Sequence, residues 1–308
     1  MEILDRYKHL NKYLKDKFGE RTLKICIDGG FTCPNRDGSA GSGGCIFCSE
    51  RGSGDHIKCA SISEQVKNYF TSYKAERANK FIAYFQNFTN TYAPVDILKS
   101  KYDAALIDDR IVALAIATRP DCINEDVCKL LKSYSDKYYV WVELGLQTAN
   151  NSTGKLINRG YSSEQFSEAV TLLNKYNIDV VTHIMVGLPG ENFDNLKSTV
   201  DFINSHNIQG LKIHCTYVVE NTVLADMLHD GFYEPITLEY YLDCATYILT
   251  HISPDIIIHR VSGDAPKDLL IAPDWNLHKK WIVNGLDKIL REQNLWQGMY
   301  YKKIHGVE

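Results

Sequence analysis

The feature that most restricts the fold is a rhythm of short, almost unbroken apolar runs alternating with amphipathic stretches from about residue 23 to 260. The runs are "LKICIDGG" (23–30), "KFIAYFQ" (80–86), "ALAIATR" (113–119), "YVWVELGLQ" (139–147), "DVVTHIMVGL" (179–188) and "LKIHCTYVV" (211–219), with "DIIIHRVSG" (255–263) as a seventh candidate. Most are β-branched or aromatic and apolar at consecutive positions, as in strands covered on both faces. Between them lie stretches long enough for helices, such as "SISEQVKNYFTSYKAER" and "SSEQFSEAVTLLNKYN". In the second, Ser162 and Ser163 precede Glu164 and Gln165, which is an N-cap pattern. Repeated βα units imply a parallel sheet. With no GxGxxG loop after the first strand, the pattern predicts an α/β fold built as a partial (βα)6 TIM-type barrel. The expected organisation is an N-terminal helical extension over 1–22, the partial barrel over 23–262, and a C-terminal extension over 263–308 packing on the barrel. In such barrels the chemistry sits at the C-terminal strand ends. The polar residues falling there are Asp28, Gln86, Asn87, Arg119, Glu143, Gln147, His183 and Tyr217.

A chain of 308 residues with 44% hydrophobic content can bury a sizeable core. Its longest apolar runs are far too short to span a membrane, and its first twenty residues are charged and helix-prone without a signal-peptide core. The reading is a cytoplasmic protein with no membrane partner. A net charge of −4 gives no global attraction to nucleic acid. From Lys279 to Glu308, however, six Lys or Arg face three acids, which makes either a modest basic patch or a solvated helix face. Nine cysteines in an intracellular chain argue against a disulfide framework. Cys26, Cys59, Cys122, Cys128, Cys215 and Cys244 are scattered and read as small buried hydrophobes, with Cys26 pointed into the core by strand alternation.

Cys33, Cys45 and Cys48 are different. They crowd into "CPNRDGSAGSGGCIFC" (33–48), a stretch with four glycines between the first two thiols. Three thiolates can hold three irons of a [4Fe–4S] cluster and leave the fourth open to a substrate or cofactor. A structural zinc site wants four ligands, and His56 or Cys59 would have to complete it. The glycines let backbone amides approach cluster sulfurs.

These cysteines, with Phe47 inside the CxxC pair, resemble the cluster loop of the radical S-adenosylmethionine (SAM) superfamily. Eleven residues between the first two cysteines depart from the general CxxxCxxC spacing. That long spacing is similar to the branch containing the Elongator catalytic subunit and a set of bacterial proteins. "DGGFTCPNRDG", "GGCIFC", "YFQNFTNTYAP", "ATRPDC", "VELGLQT", "NRGYSSE", "THIMVGLPGE" and "RVSGDAPKDLLIAPDW" carry the resemblance across nearly the whole chain. The resemblance implies a partial barrel in which SAM chelates the unique iron of a [4Fe–4S] cluster. Reductive cleavage then makes a 5′-deoxyadenosyl radical. It implies Cys33, Cys45 and Cys48 as metal ligands. It also implies SAM contacts from Phe47 near the adenine, from Gln86, Asn87 and Thr89 after the second strand, and from Glu143. Gln147 and Arg159 lie twelve apart, as in coproporphyrinogen-oxidase relatives, with Arg159 clamping the SAM carboxylate. His183 falls near the ribose, and Gly187 of "GLPG" packs against the adenine. Where many relatives carry a Glu after strand three, this chain has Ala117.

The resemblance further implies a tRNA substrate at carbon 5 of the wobble uridine, and a reducing electron donor such as flavodoxin or ferredoxin. Too little chain follows residue 275 for the acetyltransferase domain of the Elongator subunit. The expected chemistry is therefore processing of an existing substituent, for example 5-carboxymethylaminomethyl-uridine to 5-aminomethyl-uridine. Lys279, Lys280, Arg291, Lys302 and Lys303 are candidate phosphate contacts, with Trp275, Trp281 and Trp296 either stacking on bases or sealing the barrel. Two alternatives stay open: a radical SAM enzyme on a small molecule such as a tetrapyrrole, and a non-catalytic zinc- or RNA-binding protein.

Overall fold

The structure is a computed structural model that describes residues 5–50, 52 and 60–302. His56, Cys59 and Lys303 lie outside the described residues. Seven strands form one all-parallel sheet in the order β1 (Thr22–Ile27), β2 (Lys80–Phe85), β3 (Ile111–Thr118), β4 (Tyr139–Gln147), β5 (Asp179–Val186), β6 (Gly210–Cys215) and β8 (Ile257–Arg260). β7 (Val218–Val219) and β9 (Leu270–Ala272) make a separate antiparallel pair. The sheet curls into a half-barrel, the partial TIM barrel that the apolar rhythm predicts. The seventh apolar run is a real strand and extends the expected six.

One helix precedes the first strand and the others follow strands as the βα pattern requires. They are α1 (Leu10–Phe18), α2 (Ile62–Phe70), α3 (Val95–Asp103), α4 (Glu125–Tyr134), α5 (Asn151–Leu156), α6 (Ser163–Lys175), α7 (Phe193–Asn204), α8 (Val223–His229), α9 (Leu238–His251) and α10 (Lys279–Glu292). The cap expected for α6 is present: Ser162 accepts from the Gln165 backbone N–H, and the Gln165 side chain accepts from the Ser162 N–H. Such boxes contribute roughly 1 kcal/mol each.

Strand alternation divides the molecule into two faces. Ile25, Ile27, Phe85, Leu114, Ile116, Val142, Leu144 and Ile213 join the main core beneath the outer helices. The opposite face holds Tyr84, Ala113, Ala115, Ala117, Trp141 and Val181. The three alanines on β3 leave room inside the curl, and Leu10 and Leu14 of α1 enter that space. α1 is tied to the sheet edge where Ile258 donates its backbone N–H to the Lys8 carbonyl at 2.8 Å. The inner face is less apolar than the sequence suggests. Lys24 and Cys26 alternate with Ile25 and Ile27 and so face inward, where Cys26 opens onto a cavity. The expectation that Cys26 packs in the core is therefore corrected.

Candidate active site

The cysteine loop runs between β1 and α2 and is bound to the segment after α5. Asn158 donates from Nδ2 to the carbonyls of Gly44 (2.7 Å) and Ser42 (3.0 Å). Asn35 donates back to the Asn158 carbonyl at 2.6 Å, and the Ile46 N–H donates to the Ile157 carbonyl. Arg36 fastens the far side, donating to the carbonyls of Ser49 (2.6 Å) and Cys48 (3.2 Å). Gly160 must be glycine: its φ is +79°, and a Cβ would stand 2.8 Å from Asn35 Oδ1. The close CIFC pair is a tight turn, with the Cys48 N–H donating to the Cys45 carbonyl at 3.0 Å.

Cys33, Cys45 and Cys48 line one end of a cavity of about 760 Å³ that extends down the inside of the barrel. Two guanidinium groups serve this end. Arg119 Nη1 lies 3.9 Å from Cys33 Sγ, and Arg119 is itself held by a bidentate pair with Asp121 at 2.9 and 2.7 Å. Cys45 and Cys48 share a hydrogen bond, so one proton leaves readily. The Cys48 thiol is lowered to about 7 by Cys45 and then by Arg36 and Arg119, while Cys45 is pushed well up by Cys48 and by burial. Cationic surroundings of this kind favour thiolates, the form that binds iron. Among the described residues, no three His, Cys, Asp or Glu side chains are drawn tightly enough to hold a single metal ion.

The structure distributes the remaining sequence candidates unevenly. Phe47, Gln86, Thr89, Gln147 and His183 line the cavity. Phe47, Gln147 and His183 also line a second cavity of about 140 Å³ toward Met185 and Tyr217. Gln147 reaches this position through a register shift at the end of β4 and a backbone φ of +58°, and Tyr161 holds its Oε1 at 2.8 Å. Thr89 Oγ1 is buried without a hydrogen-bond partner. Asn87, expected with them, is buried and lines neither cavity; it donates to Asp28 at 3.1 Å.

Two more expectations do not fit the geometry. Arg159 is 0% exposed and lines neither cavity. Its N–H groups go to the carbonyls of Leu146 (2.6 Å), Thr148 (2.6 Å) and Tyr161 (2.9 Å) and to Asn151 Oδ1 (3.2 Å). It braces the β4–α5 turn, and it is Arg119 that stands beside the thiols. Gly187 also lies off the cavity: its carbonyl accepts from Tyr233 at 2.8 Å, and its α-carbon packs against Ile236.

Glu143 is not at a strand end. It is the fifth residue of the nine in β4, and its side chain is 0% exposed. Burial alone would push a carboxyl up. Instead the lysines Lys212 and Lys24 hold it well below the usual carboxylate range, helped by His183. Oε2 contacts Lys212 Nζ, and His183 Nε2 lies 3.0 Å from it. Lys24 Nζ lies 3.3 Å from Oε1, and Trp141 Nε1 donates to Oε1 at 3.1 Å. Lys212 also donates to the Tyr84 hydroxyl at 3.0 Å. His183 is lowered to about 4 by burial and then by Lys212, so it is neutral at pH 7. The lysines were missed at the sequence level because each sits inside a strand that reads as apolar. The available signal was their place on the alternation: Lys24 and Lys212 fall on inward positions.

The C-terminal candidates divide similarly. Trp275 is buried and donates to the Ile236 carbonyl, as a seal would. Trp281 and Trp296 are exposed, and Trp281 stacks on His278. Lys279 pairs with Asp264 at the cavity wall, and Arg291 with Asp287 on α10.

Comparison with known proteins places this arrangement. The model of the Radical SAM superfamily matches residues 33–203, more than half of the chain, and that of the Radical_SAM C-terminal domain matches residues 208–292. The Bacillus subtilis (strain 168) protein YtqA is 37% identical over 304 residues, 97% of this chain and 94% of its own. The tRNA uridine(34) acetyltransferase of Methanocaldococcus infernus is 30% identical over 166 residues, 53% of this chain but only 30% of the acetyltransferase. The solved Methanocaldococcus infernus Elp3 with an N-terminal deletion superposes with a TM-score of 0.67 at 19% identity, covering 90% of this chain and 64% of Elp3. At that identity the superposition speaks for the fold. The chain belongs to the radical SAM superfamily, whose members use a [4Fe–4S] cluster and S-adenosylmethionine.

Proposed function

We propose that this protein modifies the C5 side chain of the wobble uridine of tRNA by trimming an existing substituent, for example 5-carboxymethylaminomethyl-uridine to 5-aminomethyl-uridine. One observation carries the reading. The cavity that begins at the three thiols is lined by six Lys or Arg and only two acids, in a chain whose net charge is −4. An anionic substrate suits that wall. The similarity to a tRNA uridine(34) acetyltransferase supports the wobble position.

The residues fit the cofactors. Cys33, Cys45 and Cys48 would hold the cluster, and the unpartnered Thr89 hydroxyl, with Phe47, Gln86, Gln147 and His183, would hold SAM. When bound, the pair would supply a 5′-deoxyadenosyl radical and so act as the two-electron oxidant of the carboxymethyl carbon, one hydrogen atom and one further electron being removed; the imine formed on the substrate takes up water and its C–N bond breaks, leaving 5-aminomethyl-uridine and releasing the two carbons as glyoxylate. The chain's own part is positioning. Arg36 and Asn158 fix the cysteine loop, and Trp141 and α1 close the barrel interior against water. A uridine must leave its stack to enter such a depth. Lys279 and Lys280, at the start of α10 beside the cavity wall, would meet phosphates, and a flavodoxin or ferredoxin would deliver electrons. In this reading residues 1–22 and 263–308 are extensions of a barrel over 23–262. The test is nucleoside analysis of tRNA from a strain lacking the protein. Accumulation of the carboxymethylaminomethyl form is expected, and an unchanged profile would overturn the reading.

A further inference from the structure

We propose that Lys24 and Lys212, bridged by Glu143 inside the barrel, form a binding site for a carboxylate carried by the substrate. The inference rests on the tRNA reading only for where that carboxylate comes from, the carboxymethyl group of the wobble substituent.

The charge balance points to a missing anion. Two ammonium groups share one carboxylate, since Glu143 touches both lysines. The neighbouring histidines add no compensating negative charge. Lys212 has a side-chain exposure of 5% and Lys24 of 24%, so neither ammonium is hydrated as a surface lysine is; burial lowers Lys212 to about 7, and a carboxylate placed beside it would hold its proton on. Among the described cavity-lining residues the other acid is Asp264, which Arg260 and Lys279 engage at 2.7 and 3.3 Å.

The donors are also there. An ammonium has three N–H groups. Glu143 and Tyr84 take two from Lys212, and Glu143 takes one from Lys24. The Tyr84 ring lies under both ammonium groups, at 4.5 Å from Lys24 and 4.7 Å from Lys212, and fixes their height. His214 lines the same wall, and its buried Nε2 has no partner. The site lies apart from the thiols: Glu143 stands four residues below Gln147, about 13 Å at the rise of a parallel strand. A ligand reaching it would present its middle, not its charged tip, to the cluster end.

The probe is N-benzylglycine, which carries the aryl–CH2–NH–CH2–COO⁻ skeleton without RNA. It is compared with its ethyl ester and with benzylamine by equilibrium dialysis against the reconstituted holoenzyme. The acid is expected to bind about tenfold or more tighter than either. Lys24→Met and Lys212→Met should each cut that preference below about threefold, and Lys24→Arg should retain it. Lys24→Met leaves Glu143 with Lys212 and His183, so it keeps the test open if Lys212→Met does not fold. Equal binding of acid and ester, no binding of the acid, or an undiminished preference in the folded variants overturns the proposal. An anticodon stem-loop RNA carrying 5-carboxymethylaminomethyl-uridine is assayed separately. If it is left unprocessed while the lysine-dependent preference persists, the tRNA reading fails and the carboxylate site stands.

Discussion

Replacing Arg159 by Met separates a brace from a cofactor clamp. The guanidinium satisfies three backbone carbonyls and one amide oxygen in a place with no solvent exposure. Methionine fills much of the volume but donates nothing, and the carbonyls cannot be mutated away. The Leu146 carbonyl keeps the Thr148 N–H and Asn151 Oδ1 keeps the Ser163 N–H, so the carbonyls of Thr148 and Tyr161 are the acceptors left stranded. Each costs about 1–3 kcal/mol, so the low end for both gives a loss of about 2 kcal/mol. For a chain of this size that lowers the melting temperature by roughly 4 °C or more. The loss should reach the cysteine loop, because the neighbouring Asn158 holds Ser42 and Gly44. The assay is anaerobic thermal and urea denaturation of the variant, paired with a SAM titration of 5′-deoxyadenosine formation. A destabilisation below about 1 kcal/mol together with a selective rise in the KM for SAM would refute the reasoning and return Arg159 to the cofactor.

Three further outcomes are expected. Glu143→Ala should destabilise by about 3 kcal/mol by leaving the buried Lys212 and the half-buried Lys24 without their shared carboxylate, and adding Lys212→Met should recover part of it, as a double-mutant cycle will read. Binding of N-benzylglycine should weaken as pH rises above 7. Lys212, held at about 7 by burial against the pull of Glu143, loses its proton there, and a bound carboxylate favours the protonated form. Lys24 and Arg260 also face Lys212, and of the other groups around it burial keeps His183, His214 and His259 neutral and Tyr84 and Cys26 protonated, while Glu143 stays ionised; dialysis at several pH values checks this, with Lys212→Met showing no such slope. Substituting Lys279, Lys280, Arg291, Lys302 and Lys303 by Glu should weaken tRNA binding and flatten its salt dependence, and unchanged binding would remove this tail from the interface.

Much of the architecture is legible in the sequence because a parallel strand buried on both faces must be apolar throughout. Every run so identified is a strand, and β4 begins and ends at the residues the pattern marks. The cysteine loop is legible because three thiols at that spacing have few other uses. The interior chemistry is not. Lys24 and Lys212 look like interruptions of apolar runs, and only the curl of the sheet brings them to Glu143. Arg159 shows the converse: its spacing from Gln147 suggests a shared ligand, yet the β4–α5 turn closes around it and takes its donors. Spacing along the chain sets which residues are near each other, and the backbone between them decides which way they face.

The central claim is radical SAM chemistry on a wobble uridine substituent. The most direct measurement reconstitutes the protein anaerobically with iron and sulfide, adds dithionite, SAM and tRNA carrying 5-carboxymethylaminomethyl-uridine, and follows 5′-deoxyadenosine and the modified nucleoside together. The account predicts both 5′-deoxyadenosine and 5-aminomethyl-uridine from the wild type and neither from Cys45→Ala. No 5′-deoxyadenosine from the wild type, or 5′-deoxyadenosine with the nucleoside untouched, would contradict it.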